Sequence, residues 1–345
     1  MTVAILFGGQ SYEHEISIVS AIALKKVLTC NIIYIFCDKD REFYLIPTGE
    51  ITSKRFSSGA YKKDTKLLLK QGGFYTKSML KDKPVLFDVA INLIHGADGE
   101  DGKIAALFDF FNVPYIGPRL EGSVLSYSKL WNKYLAQEMG VKTLEFEVVN
   151  KNNRQVSLPL PIIIKPLRLG SSIGLSVVKE ASELEYALDV AFEFDDDVLI
   201  EPFIQGVKEY NLAGCKTNDG FEYSLIEEPQ KEDILDFDKK YLDFSRTQRV
   251  FEAALDEATS FAMKQAFAKL YDPLFVGALI RCDFFVIDDD VYLNEINPNP
   301  GSMANYLFED FDGVIGRLAK ALPKNRHIAV QYQYINSIQA AKGKA

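Results

Sequence analysis

An unbroken apolar run at residues 3–7, followed at once by Gly8-Gly9, has the pattern of a strand buried on both faces. Apolar positions then recur at helical spacing from 16 to 28. Residues 31–37 and 85–94 are again strand-like, the latter ending at His95-Gly96. Strands alternating with helices predict a parallel α/β sheet. Residues 40–83, rich in Lys, Ser and Gly, read as surface loops and hairpins without an assigned role. A boundary falls at about 118–128. Beyond it a helix is predicted over 129–139, with Gly140 as its C-cap. Strands follow at 159–165, 175–178 and 198–204, with a helix over 182–194. Residues 218–250 are polar, acidic and irregular, the pattern of disorder or of an active-site lid in a compact region. A helix over 253–270 and two strands, 278–287 and 291–297, complete the pattern.

Composition narrows the class. A chain of 345 residues suggests two or three domains, and 48% apolar with 25% charged residues is an ordinary globular balance. A net charge of −9 without a basic run argues against nucleic acid or anionic membrane as the main partner. Cys30, Cys37, Cys215 and Cys282 are scattered without zinc spacing and read as reduced, buried thiols. Residues 1–7 read as a strand rather than a signal peptide. No apolar run approaches the roughly 18–20 residues of a membrane span. A soluble, cytoplasmic protein is expected.

The strands 278–287 and 291–297 flank Asp288-Asp289-Asp290, which reads as a three-residue hairpin turn. A hairpin symmetric about Asp289 sets Asp283 opposite Glu295 and Arg281 opposite Asn297, with all four on one face. Two opposed carboxylates destabilise a sheet unless a cation sits between them. Oxygen donors without His or Cys point to Mg²⁺ or Mn²⁺. Lys165 ends a buried strand before Arg168-Leu-Gly170-Ser171-Ser172-Ile-Gly174, a turn whose backbone N–H groups can approach phosphate oxygens. It is not a Walker A loop. Strand 198–204 can present adenine with the Pro202 carbonyl and the Ile204 N–H, and Glu209 follows at a distance suited to ribose.

Together these residues resemble the D-alanine–D-alanine ligases of the ATP-grasp superfamily. The likeness runs from Leu6 to about Leu307. It rests on Leu6-Phe-Gly-Gly-Gln-Ser-Tyr-Glu13-His-Glu15-Ile-Ser17, on His95-Gly-Ala-Asp-Gly-Glu100-Asp-Gly102 and on Gly170-Ser-Ser-Ile-Gly174. Arg281-Cys-Asp283 and Asn294-Glu-Ile-Asn297-Pro-Asn-Pro-Gly301 follow in order. The resemblance implies an α/β, three-domain ATP-grasp fold. An N-terminal parallel α/β domain (1–117) would adjoin a central (118–205) and a C-terminal (206–345) domain that clasp ATP, with the lid at about 218–250.

The implied reaction joins two D-alanines through a D-alanyl phosphate, giving D-alanyl-D-alanine, ADP and phosphate for peptidoglycan precursors. Lys129, Lys165, Ser171 and Ser172 would meet the ATP phosphates, with Lys240 on the lid. Glu201, Ile204 and Glu209 would meet the adenosine. Asp283, Glu295 and Asn297 would hold two Mg²⁺ or Mn²⁺ ions. Glu13, near His95, would bind the ammonium of the first D-alanine, while Arg281 and the Gly301 N–H hold the oxyanion. Ser171 and Tyr241 would link to Glu13 and shut the site. Tyr241 also favours a dipeptide over an ester product. Family members often carry a serine soon after the Pro-Gly turn for the second carboxylate; here Ser302, Asn305 and Tyr306 are the candidates. Glu100 and Asp101 read as structural. A homodimer is implied.

Other classes fit less well. A dinucleotide oxidoreductase lacks Gly-x-Gly-x-x-Gly after the first strand. A nucleotide sensor has no use for the Asp283/Glu295/Asn297 group, and a ligase of other small acids is separable by substrate-dependent phosphate release.

Overall fold

The computed structural model describes residues 1–229, 250–324 and 328–342. Strand β1 (Thr2–Gly8) is buried along nearly its whole length and leads into helix α1 (His14–Leu24). β2 (Asn31–Cys37) returns parallel to β1, from Thr2 opposite Asn31 to Gly8 opposite Cys37. Then come β3 (Phe43–Ile46), α2 (Ser53–Ser57), β4 (Thr65–Lys70), β5 (Gly73–Thr76) and β6 (Lys83–Pro84). β7 (Val89–Asn92), α3 (Lys103–Phe110) and β8 (Tyr115–Ile116) close the unit. The sheet order is β6-β5-β4-β3-β2-β1-β7-β8. The expected parallel sheet is therefore only its half nearest the site. The hairpins of 40–83 extend it with four antiparallel strands, so they are structural rather than loose surface.

α4 (Leu120–Tyr127) and α5 (Lys129–Glu138) lead to β9 (Lys142–Thr143), β10 (Glu147–Asn150), β11 (Ile162–Pro166), β12 (Ser176–Val178), α6 (Leu184–Phe192) and β13 (Asp197–Pro202). Four of these form an antiparallel sheet, β10-β13-β11-β12. β14 (Lys208–Thr217), β15 (Gly220–Glu227), α7 (Glu257–Tyr271), β16 (Ile280–Ile287) and β17 (Asp290–Asn297) follow, then α8 (Phe311–Lys320) and α9 (Ile335–Lys342). With β9, the four strands build a third sheet, β15-β14-β16-β17-β9. β15 corrects the reading of 218–250 as irregular throughout. Its charge is met from afar, Arg317 of α8 donating to both Glu222 oxygens at 2.8 and 2.7 Å, while Phe221 and Tyr223 meet Phe267 of α7 in edge-to-face contacts.

The β16–β17 turn has two residues, not three. Asp288 and Asp289 are both left-handed (φ 48° and 64°), the backbone of a tight hairpin, and Ile287 pairs with Asp290. Alone, that register would set Asp283 against Asn294. A bulge after Phe284–Leu293 takes up Asn294, so Asp283 opposes Glu295 and Arg281 opposes Asn297 after all.

The core ties the ends of the chain together. One face of the first sheet packs α1 and is completed by Met303, Ala304, Tyr306, Leu307 and the apolar side of α8. Among the described residues no helix is long and apolar enough to cross a membrane.

Candidate functional site

Three loops meet beside the β16–β17 hairpin. The β1–α1 turn puts Glu13 at the N-cap of α1, 6% exposed. The β11–β12 loop crosses it, and the Ser171 hydroxyl donates to Glu13 Oε1 at 2.5 Å. Ser171, Ser172 and Gly174 all have left-handed backbones (φ 55°, 57° and 71°). Two glycines let the chain come this close. A Cβ on Gly96, itself at φ 68°, would stand 2.6 Å from Glu13 Oε2, and one on Gly170 would stand 2.9 Å from Oε1. Burial raises the Glu13 carboxyl and Glu100 adds to the rise, against the Ser171 hydrogen bond, His95 and Lys129.

His95 follows β7 and is buried, its Nε2 3.0 Å from Ser20 Oγ on α1. Ser20 Oγ also accepts the Ser302 N–H at 3.0 Å. Ser20 thus links the imidazole to the Ser302 turn, and His95 Nδ1 lies 3.7 Å from Glu100 Oε1. Burial pulls His95 down to about 4 and lifts Glu100 to about 8, the latter helped by Glu295. Glu100, which its sequence position gives a structural reading, lines the same narrow cleft as Lys129, Arg168, Gly170, Glu295 and Asn297.

On the hairpin, Arg281 clasps Asp283 through Nε (2.7 Å) and Nη2 (2.8 Å), and the Asn297 amide donates to Asp283 at 3.0 Å. Arg281 Nη1 also reaches the Tyr306 hydroxyl at 3.5 Å. Gly301 begins a buried turn, Gly301–Leu307, in which Ser302, Met303 and Ala304 are successively left-handed (φ 47°, 52° and 48°). Three such residues in a row are strained and persist only where the surroundings impose them. Here Asn305 bonds the Ser302 carbonyl at 2.9 Å and α1 packs on the turn.

On the central sheet, Lys165 Nζ lies 2.8 Å from Glu201 Oε2 and 3.3 Å from Asn294 Oδ1. Lys129 donates to the Leu169 carbonyl at 2.5 Å. Ile204 lies just beyond β13, and Glu209 sits on β14 opposite Phe285. Glu201 is not alone: Lys133 of α5 meets its other oxygen. Burial would raise Glu201, but Lys165 and Lys133 outweigh it and hold the carboxyl at about 2.

The chain thus brings Glu13, His95, Ser171, Lys129, Lys165, Arg281, Asp283, Glu295, Asn297 and the Gly301 turn to one place. Lys240 and Tyr241 lie outside the described residues. Sequence reasoning passed over Lys133, Ser20, Asn294 and the position of Glu100. A signal existed for Lys133, four residues after Lys129 on a predicted helix and so on the same face. Asp283 and Glu295, with the Asn297 amide, are the oxygen donors that suit Mg²⁺ or Mn²⁺. Among the described residues no three His, Cys, Asp or Glu side chains gather into a closed cage.

A four-stranded antiparallel sheet and a five-stranded mixed sheet beside an α/β unit, superposing on solved D-alanine–D-alanine ligases, define the ATP-grasp class of fold. Family models described as D-ala D-ala ligase N-terminus and D-ala D-ala ligase C-terminus match residues 2–118 and 135–311, and the chain belongs to this D-alanine–D-alanine ligase family. A D-alanine--D-alanine ligase of Sulfurovum sp. (strain NBC37-1) is 61% identical over 347 residues, covering 100% of both chains. That of Wolinella succinogenes is 59% identical over 345 residues, again 100% of both. The crystal structure of the Helicobacter pylori enzyme superposes with a TM-score of 0.85 at 49% identity, covering 94% of this chain and 100% of that one. The Coxiella burnetii ligase, at 21% identity and a TM-score of 0.74, covers 99% and 97% and shares the fold.

Proposed function

We propose that this chain joins two molecules of D-alanine with ATP, giving D-alanyl-D-alanine for peptidoglycan synthesis, ADP and phosphate. The observation that carries the reading is the meeting of a buried, serine-bonded Glu13 with the Arg281/Asp283/Glu295/Asn297 face in one cleft. Full-length relatives of the same name support it.

In this mechanism Lys129, Lys165 and the Ser171-Ser172 loop hold the phosphates, and Glu201, Ile204 and Glu209 the adenosine. Glu13, beside His95, takes the ammonium of the first D-alanine. The carboxylate oxygen of that D-alanine attacks the γ-phosphorus, the bond to ADP breaks, and an acyl phosphate forms. Asp283, Glu295 and Asn297 would hold Mg²⁺ or Mn²⁺, which supplies countercharge to the phosphates when bound. The amine of the second D-alanine, with its carboxylate against Ser302 and Tyr306, loses a proton and attacks the acyl carbon. Arg281 and the Gly301 N–H face the oxyanion, the carbon–oxygen bond to phosphate breaks, and the peptide bond remains.

The compartment we assign is the cytoplasm, where ATP is available and four free cysteines stay reduced. The assembly we assign is a homodimer through the N-terminal domain, where Leu107 and Phe110 of α3 are exposed. Sedimentation tests it, and a monomer at working concentration would remove it.

The deciding assay is ADP release with Mg²⁺-ATP, alone and with D-alanine, L-alanine or D-lactate. A D-alanine-dependent rate with a dipeptide found by mass supports the reading. Release indifferent to every acid, or none at all, overturns it.

A further inference from the structure

Lys133 has no part in the mechanism above, yet it is among the most deeply buried charges of the chain, 1% exposed. It extends from α5 to Glu201, also 1% exposed, and meets the oxygen that Lys165 leaves. Lys165 and Glu201 lie diagonally on neighbouring strands, Glu201 pairing with Ile163, so the two side chains share a face. Lys165 also touches Asn294, the bulge residue next to Glu295. One buried carboxylate therefore has two lysines, and Lys133 is surplus to its neutralisation while Lys165 stays in place.

That changes once a nucleotide binds. If Lys165 turns to a phosphate, a Glu201 with no other partner becomes an uncompensated buried anion, which is strongly unfavourable. A one-to-one Lys165–Glu201 pair would hold the lysine back. We propose that Lys133 is a positioning residue of the nucleotide site: it carries the countercharge of Glu201, so that Lys165 is released to the phosphates while Glu201 keeps its place. The proposal rests on the reading that ATP binds against β11 and β13. Lys133 touches neither the nucleotide nor the amino acids and acts through Glu201.

A double-mutant cycle on the full-length chain tests it, with Lys133→Met, Glu201→Gln and the two combined. The readouts are equilibrium binding of Mg²⁺-ADP and the separate KM values for ATP and D-alanine. Lys133→Met is expected to weaken Mg²⁺-ADP binding and raise KM for ATP by at least about tenfold, with KM for D-alanine held within about twofold. In the Glu201→Gln background the same change is expected to cost about twofold or less, because a neutral amide needs no countercharge. Lys133→Arg, which keeps the charge, should stay near wild type. If Lys133→Met does not fold, the proposal requires the double variant to fold, and a double variant that also fails overturns it. Equal losses in both backgrounds, or an unmoved KM for ATP in a chain that binds Mg²⁺-ADP, overturn the proposal alone. A wild-type chain that does not bind Mg²⁺-ADP overturns the nucleotide-site reading and the proposal with it.

Discussion

Glu13 can hold an ammonium only while ionised, and its burial works against that. The Ser171 hydrogen bond pulls in the opposite direction and favours the carboxylate. Because the folded carboxyl is raised, D-alanine binding should weaken on acidification from a pH above the ordinary 4.5. Ser171→Ala removes the lowering influence, so the acid limb of kcat/KM for D-alanine should move to higher pH; an unmoved limb would separate the serine from the carboxyl. Glu295 tests the hairpin. Glu295→Gln is expected to lower turnover by at least about 100-fold through lost phosphate countercharge, with circular dichroism unchanged. Wild-type-like turnover would refute the metal assignment.

At the scale of elements, the site depends on two backbone devices. One is the bulge at Asn294, which brings Glu295 and Asn297 to the Asp283 face; without it a two-residue turn would send Glu295 to the opposite face. The other is the close passage of the β11–β12 loop over Glu13. Gly170→Ala sets a Cβ 2.9 Å from Glu13 Oε1, so the carboxylate or the Ser171 loop must shift. We expect KM for D-alanine to rise about tenfold while the denaturation midpoint barely shifts, since small misplacements are costly to orientation. An unchanged KM would mean that the loop does not set the Glu13 geometry.

For the molecule as a whole, the first sheet's core is completed by residues 303–318, so the N-terminal unit and the chain's end are stabilised together. Titration is equally shared. His95, lowered from 6.5 to about 4, makes the unfolded chain bind more protons between those values, so its contribution to stability rises with pH there. Glu100, raised from 4.5 to about 8, does the reverse, and its contribution falls as pH climbs from 4.5 to 8. The two oppose each other up to about 6.5, and above that Glu100 acts without the histidine. Denaturation midpoints of Glu100→Gln should therefore decline less than wild type between pH 6.5 and 8. A parallel decline in both would mean that Glu100 is not held neutral by the fold.

Periodicity by itself determined the strands β1, β2, β16 and β17 and the helices α1 and α5 to within a few residues, because each carries its own apolar pattern. Ordered motifs determined the family, since Gly96 and Gly170 answer local needs of close approach to Glu13 and so stand legibly in the sequence. β15 was hidden because its acidic residues resemble a loop until Arg317, 95 residues away in sequence, neutralises Glu222. The Asn294 bulge was hidden because two turn lengths give the same final pairs. Only the tertiary structure placed Lys133 on Glu201, Ser20 between His95 and Ser302, and Glu100 in the cleft. Local patterns encode which face of an element is apolar, whereas the partner of a buried polar group is chosen by whichever distant element packs there.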